Sequence, residues 1–230
     1  MQHSTDNAEN SVSEQQGDSL SARLKTATID LHHEVEHGSE VNRRIVTKIK
    51  SEGGDAGTLR AVYRDSYVAF LTAAYGFEHA VLTAVHEFGI LADLAAQGYF
   101  AEHVDASALI QEDLEKLGYE TAALAAPADF LKITCVAELA GVEYVRRGSR
   151  NGNAYIAHAV RGNLGRGAEN GAAFLNLDSG QTRPNWERFR AWLDELSLDE
   201  HERQIAIDAA LATFRAVGRW HEHISKNPPL

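Results

Sequence analysis

The chain has 230 residues, 44% of them apolar, which is enough to fill one hydrophobic core without obliging the chain to divide. Its formal net charge of −11 argues against general nucleic-acid binding, because phosphates would be repelled over most of the surface. The single cysteine, Cys135, excludes an internal disulfide framework and a cysteine-rich zinc or iron–sulfur site, and suits a reducing cytoplasm.

Met1 to Gly17 are polar, with neither a basic start nor an apolar stretch. They read as a disordered tail, not a secretory signal or membrane anchor. One domain is expected over residues 18–225, with a short tail at 226–230. Asp18 or Ser19 can cap a helix in which Leu20, Leu24, Ala27, Leu31 and Val35 recur at helical spacing up to Gly38. A short helix, Glu40 to Lys50, stops at Gly53-Gly54. The longest pattern runs from Leu59 to Phe88, with aromatics at Tyr63, Tyr67, Phe70, Tyr75 and Phe77, and closes at Gly89. No uninterrupted apolar run approaches the roughly 20 residues needed to span a bilayer, so no membrane is expected as partner.

Ser107 to Leu117 forms the next helix, stopped by Gly118. Pro127 stands where another begins, carrying Phe130, Ile133, Ala137, Leu139 and Val142. Gly148 to Val160 reads as a turn or a strained helix. Asn185 to Leu196 and Ser197 to Ile224 complete the pattern, and no hairpin chemistry appears. The fold class is therefore all-α, with crossed helices around a buried pocket.

His33, Glu34 and His37 spell the H-E-x-x-H pattern of zinc proteases. No strand-built cleft precedes it and no third ligand follows at the required spacing, so His33 and His37 are expected to be solvated.

Leu24, Lys25, Ala27 and Thr28, with His32 four residues later, match the opening helix of heme oxygenases, which this chain resembles. Tyr144 to Ile156, YVRRGSRNGNAYI, resembles the family's distal helix, especially in the bacterial members found with phytochromes. Gly148 and Gly152 are the matching glycines. Weaker matches are Tyr63 to Glu78, Asp113-Leu114 with Leu117-Gly118, Gly171 with Phe174, and the aromatics Trp186, Phe189, Phe214 and Trp220. The resemblance implies a single-domain helical fold with heme between a proximal N-terminal helix and a glycine-containing distal helix.

It further implies that His32 is the axial ligand and metal-binding residue, and that heme is both cofactor and substrate. Glu36, at i+4, is placed to hold the other ring nitrogen of His32. Lys25 and Arg190 would face heme propionates. Gly148, Ser149 and Gly152 would form the catalytic distal wall, their backbone close to the heme face. Ser149 stands where mammalian-type members carry an aspartate, and Asn153 where many have glycine. The implied reaction opens heme to biliverdin with release of CO and ferrous iron. It uses dioxygen and an electron donor such as ferredoxin, flavodoxin or flavin reductase, which would dock on Arg146, Arg147 and Arg150. A bilin-accepting phytochrome is a further expected partner. Two alternatives share the fold: a non-catalytic heme-binding or sensing protein, and a thiaminase or di-iron oxidase relative, for which Glu78 and His79 offer a candidate pair.

Overall fold

The computed structural model describes residues 19–46, 56–89, 91–96, 98–99, 105–122, 124–127, 132–167 and 169–229. The N-terminal tail, the end of the second expected helix, the stop at Gly53-Gly54 and Phe130 lie outside these residues. The described residues are helical and contain no strand. In order they form α1 (Leu20–His33), one π-helical turn (Glu34–Gly38), α2 (Glu40–Val46), α3 (Ala56–Phe88) and α4 (Leu91–Ala96). There follow α5 (Ala106–Lys116), α6 (Val136–Ser149), a 3-10 turn (Arg150–Gly152) and α7 (Asn153–Leu164). A second 3-10 turn (Phe174–Asn176), α8 (Thr182–Glu195) and α9 (Glu200–Lys226) complete the order.

Side-chain caps explain the starts of three helices. The Ser19 hydroxyl accepts from Ala22 N at the start of α1, and the Asp105 carboxylate accepts from Ser107 N and Ala108 N at the start of α5. Asp199 and Glu202 bond each other's backbone in a capping box, so α9 begins at Glu200 and not at Ser197. The helix expected from Pro127 begins only at Val136. The Glu138 carboxylate reaches back to Thr134 N (2.6 Å) and Thr134 Oγ1 (2.8 Å), fixing the start there and leaving Ile133 to enter the core from an extended segment.

Two long helices span both halves of the core. Phe77, Val81 and Val85 of α3 pack with Leu24 of α1, with Leu139 and Val142 of α6, and with Phe189 of α8 and Phe214 of α9. The earlier part of α3, with Tyr63, Tyr67 and Leu71, packs with Ile45 of α2, Ile110 of α5, Val160 of α7 and Phe174. Where α3 meets α9, the Trp220 indole N–H donates to the Ala73 carbonyl (3.1 Å), and the ring lies where a side chain at Gly76 would stand. α3 is long and apolar enough on average to match a membrane span by length and composition, although charged residues interrupt its apolar run. Within this fold, however, 67% of its apolar window is buried by its own chain, as suits a core helix.

Glycine again marks closeness where α6 crosses α9. An ideal Cβ on Gly141 would stand 2.1 Å from the Ala206 carbonyl oxygen and 2.8 Å from Ala210 N, so the two backbones touch there.

Candidate functional site

α1 presents two faces. Leu20, Leu24 and Thr28 are buried, whereas Lys25, Ile29 and His32 turn to a cleft, and Ala27, expected inside, is exposed. The cleft has a volume of about 400 Å³. Ser21, Lys25, Thr28, Ile29, His32 and His33 form the α1 wall. The opposite wall is Tyr144, Val145, Gly148 and Asn151, with Trp186 and Arg190 from α8 and Phe214 from α9. Apolar and aromatic surface thus surrounds two imidazoles, His32 and His33, and two cations, Lys25 and Arg190, the composition of a site for a largely apolar ligand bearing anionic groups.

The His32 side chain keeps 49% of its surface exposed, and its ring meets the Phe214 ring edge-on at 5.9 Å. Its Nδ1 lies 3.4 Å from Glu36 Oε2, one turn further along. A carboxylate at Nδ1 favours the tautomer with its proton there, which leaves the Nε2 lone pair available to a metal. Arg190 reaches Ser21 Oγ at 3.4 Å, and Ser21 itself donates to Asp194 of α8 through its N–H and its hydroxyl, both at 2.8 Å. This ties the start of α1 to α8 beside Arg190. Burial raises the Tyr144 phenol pKa, a shift the Thr28 hydroxyl and Arg190 oppose, so the phenol stays neutral beside the cleft.

The distal segment is helical, interrupted by one 3-10 turn. α6 runs through Gly148, passes into the 3-10 turn at Arg150–Gly152, and resumes as α7. Gly148 and Asn151 reach the cleft, but Ser149 and Gly152 do not line it. The Ser149 side chain is exposed, and its hydroxyl donates to the Arg146 carbonyl at 2.8 Å. A Cβ on Gly152 would meet nothing within 4 Å. At roughly 100° per residue, positions 144, 148 and 151 share a face and 149 leaves it. The sequence matched the right helix but not its angular phase, and so missed Asn151.

The arginines expected to form an exposed docking patch are buried: Arg146 retains 2% of its surface, Arg147 7% and Arg150 3%. Arg146 donates to both oxygens of Glu143 (2.8 and 3.0 Å) and to Glu78 Oε2 (3.1 Å). Arg147 donates to Glu143 Oε2 (2.6 Å) and lies over the rings of Tyr99 and Phe189. Arg150 donates to both oxygens of Glu78 at 2.9 and 3.0 Å. Burial pushes the Glu143 carboxyl up, but the two guanidiniums outweigh it and hold its pKa down at about 2. Glu143 at i−3 and i−4 of Arg146 and Arg147 was a visible sign of pairing, but Glu78 is too distant in sequence to be one. Glu78 is thus engaged by arginines, and exposed His79 stacks on Tyr75, so the pair considered as iron ligands does not form. The rings of His33 and His37 stack on each other at 5.7 Å; both side chains are exposed, and His33 also lines the cleft.

Fold and cleft together define an all-helical protein with a histidine-bearing ligand site. The family model described as heme oxygenase matches residues 18–223, and the chain belongs to the heme oxygenase family. It is similar in fold to the heme oxygenase of Neisseria meningitidis in its NO- and CO-bound forms, at TM-score 0.68 and 21% identity, with 90% of this chain and 92% of that chain covered. Heme oxygenase from Leptospira interrogans aligns at TM-score 0.64 and 18% identity, covering 89% and 99%. Heme oxygenase-1 of the cyanobacterium Synechocystis, in complex with heme, aligns at 0.65 and 15%, covering 91% and 93%. No curated protein matches the chain.

Proposed function

We propose that this chain binds heme in the cleft between α1 and the distal segment and oxidises it to biliverdin, with release of CO and ferrous iron. The observation that carries the reading is His32. Its imidazole opens into the cleft with Nδ1 beside Glu36, and the same cleft is lined by Gly148, Lys25 and Arg190. The residues present fit heme: a neutral imidazole for the metal, apolar walls for the ring, and Lys25 and Arg190 for the propionates.

Bound heme supplies the redox-active iron and the carbon that is oxidised, while dioxygen and electrons come from outside. The chain's own part is orientation. Glu36 holds the Nδ1 proton of His32 and fixes the ring's tilt. Lys25 and Arg190 select one rotation of the ligand in its plane, and thereby which edge faces the distal wall. Gly148 leaves room on that wall, where a side chain would close the gap. Asn151, which can donate and accept, takes the polar role that the sequence assigned to Ser149. Trp186, Phe214, Val145 and Ile29 exclude bulk water. A ferredoxin, flavodoxin or flavin reductase is the implied electron donor. Its docking surface lies elsewhere than Arg146, Arg147 and Arg150, which are buried.

The test is single turnover: hemin-loaded protein with ascorbate or a reductase system in air. Loss of the Soret band with growth of biliverdin absorbance supports the reading. A stable Soret band with no bilin would leave a heme-binding protein without this activity.

A further inference from the structure

The distal segment carries two opposed rows. Tyr144, Gly148 and Asn151 face the cleft, while Glu143, Arg146, Arg147 and Arg150 face the protein interior. The inner row ends at Arg150, the residue at which α6 leaves α-helical geometry for the 3-10 turn. One side chain from another element holds both ends of that last turn: Glu78 of α3, 2% exposed, accepts from Arg146 Nη1 (3.1 Å) and from Arg150 Nε (3.2 Å) and Nη2 (2.9 Å). Arg150 Nη1 also stands 3.7 Å from Asp178 in the segment that leads into α8, the helix carrying Trp186 and Arg190. Asp178 Oδ1 in turn accepts from Asn185 Nδ2 of α8 at 2.9 Å.

We infer that Glu78 is a positioning residue for the reaction: by clamping Arg146 and Arg150 from behind, it sets how far Gly148 and Asn151 stand from the bound ligand. The inference rests on the heme oxygenase reading above. Its physical basis is rigidity. A guanidinium bound through two nitrogens to one carboxylate has little freedom of angle, so a change at Glu78 is passed through Arg150 to the start of the 3-10 turn. Asn151 is the next residue, and Gly148 lies two before Arg150. Glu78 itself lies outside the set of side chains that line the cleft, so its influence is indirect.

Two variants test this. Glu78→Gln keeps shape and removes charge. Arg150→Lys keeps charge and removes the two-pronged contact, and serves if the first fails to fold. The readouts are hemin affinity, the C–O stretching frequency of the ferrous CO complex, the isomer composition of biliverdin, and turnover rate. Hemin affinity is expected to stay near that of the wild type, since α1 is untouched. The C–O band should shift and broaden, a single biliverdin isomer should become a mixture, and turnover should fall on the order of ten- to a hundredfold. A soluble variant whose C–O band and isomer composition coincide with the wild type's overturns the inference and leaves the functional reading intact. A wild type that shows no hemin Soret band overturns the functional reading, and this inference with it.

Discussion

An added methyl group separates the roles of two glycines on the same helix. At Gly148 the nearest atoms to a Cβ are those of the Trp186 ring, at 3.6 and 3.8 Å, which is ordinary contact. Gly148→Ala is therefore expected to leave stability unchanged or raised by up to about 1 kcal/mol in urea unfolding, through helix propensity. It should nevertheless slow biliverdin formation, because the methyl takes room from the distal wall. Gly141→Ala, seven residues earlier, forces a carbon into the Ala206 carbonyl, and should destabilise by about 3 kcal/mol or more in the same assay. The motif drew attention to Gly148. Nothing drew it to Gly141, because contact with a helix as distant in sequence as that of Ala206 leaves no local pattern. Lys25, His32 and Arg190, singled out by the resemblance, all line the cleft, the first two from one face of α1, and Glu36 follows His32 by one turn.

Among the elements, α5 was expected whole, from Ser107 to Leu117, but the joint it makes was visible only as fragments. Asp113, Leu117 with Gly118, Gly171 and Phe174 matched the family at scattered positions, and the fold assembles them into one joint. The Asp113 carboxylate, fully buried, accepts from Ala173 N at 2.8 Å and Phe174 N at 2.9 Å, closing the start of the second 3-10 turn. Gly171, at φ 111°, lets the chain turn close against Leu117, and its carbonyl accepts from the Tyr67 hydroxyl at 3.0 Å. Asp113→Ala would strand two backbone donors, and is expected to cost about 2–4 kcal/mol, read as a lowered urea midpoint. The short α4 was not expected, while the ends of α3 and α5 followed from their glycine stops. The late start of α6 did not, because the Glu138 contact that fixes it competes with an equally plausible start at Pro127.

Across the whole molecule, acid should act in two stages. His221 of α9 lies against Ser39, with Nδ1 3.0 Å from its hydroxyl, and desolvation lowers its pKa from 6.5 to about 4. Between those values the unfolded chain takes up a proton that the folded chain refuses. The stability from neutral His221 is thus full above pH 6.5 and is lost as pH falls toward 4. Urea unfolding should register a loss of about 2 kcal/mol between pH 7.5 and 5, and His221→Gln should flatten that part of the profile. Glu143, held at about 2, contributes in the next window: its share is full above pH 4.5 and is lost on the way to 2. The His221 shift was not legible from sequence, because it arises from burial between elements, whereas the arginines that lower Glu143 stand three and four residues along its own helix. The net charge of −11 was legible, but it says nothing of the buried cluster in which Arg146, Arg147 and Arg150 pair with Glu78 and Glu143.

The measurement closest to the central claim is hemin titration of the wild type and of His32→Ala, read by Soret absorption and by the electron paramagnetic resonance of the ferric complex. The wild type should bind one equivalent with a nitrogen-ligated spectrum. His32→Ala should lose that spectrum and regain it on addition of free imidazole, which fills the space the side chain leaves. A wild type that binds no hemin, or a His32→Ala protein whose ferric spectrum equals the wild type's, would contradict the assignment of His32 as the axial ligand.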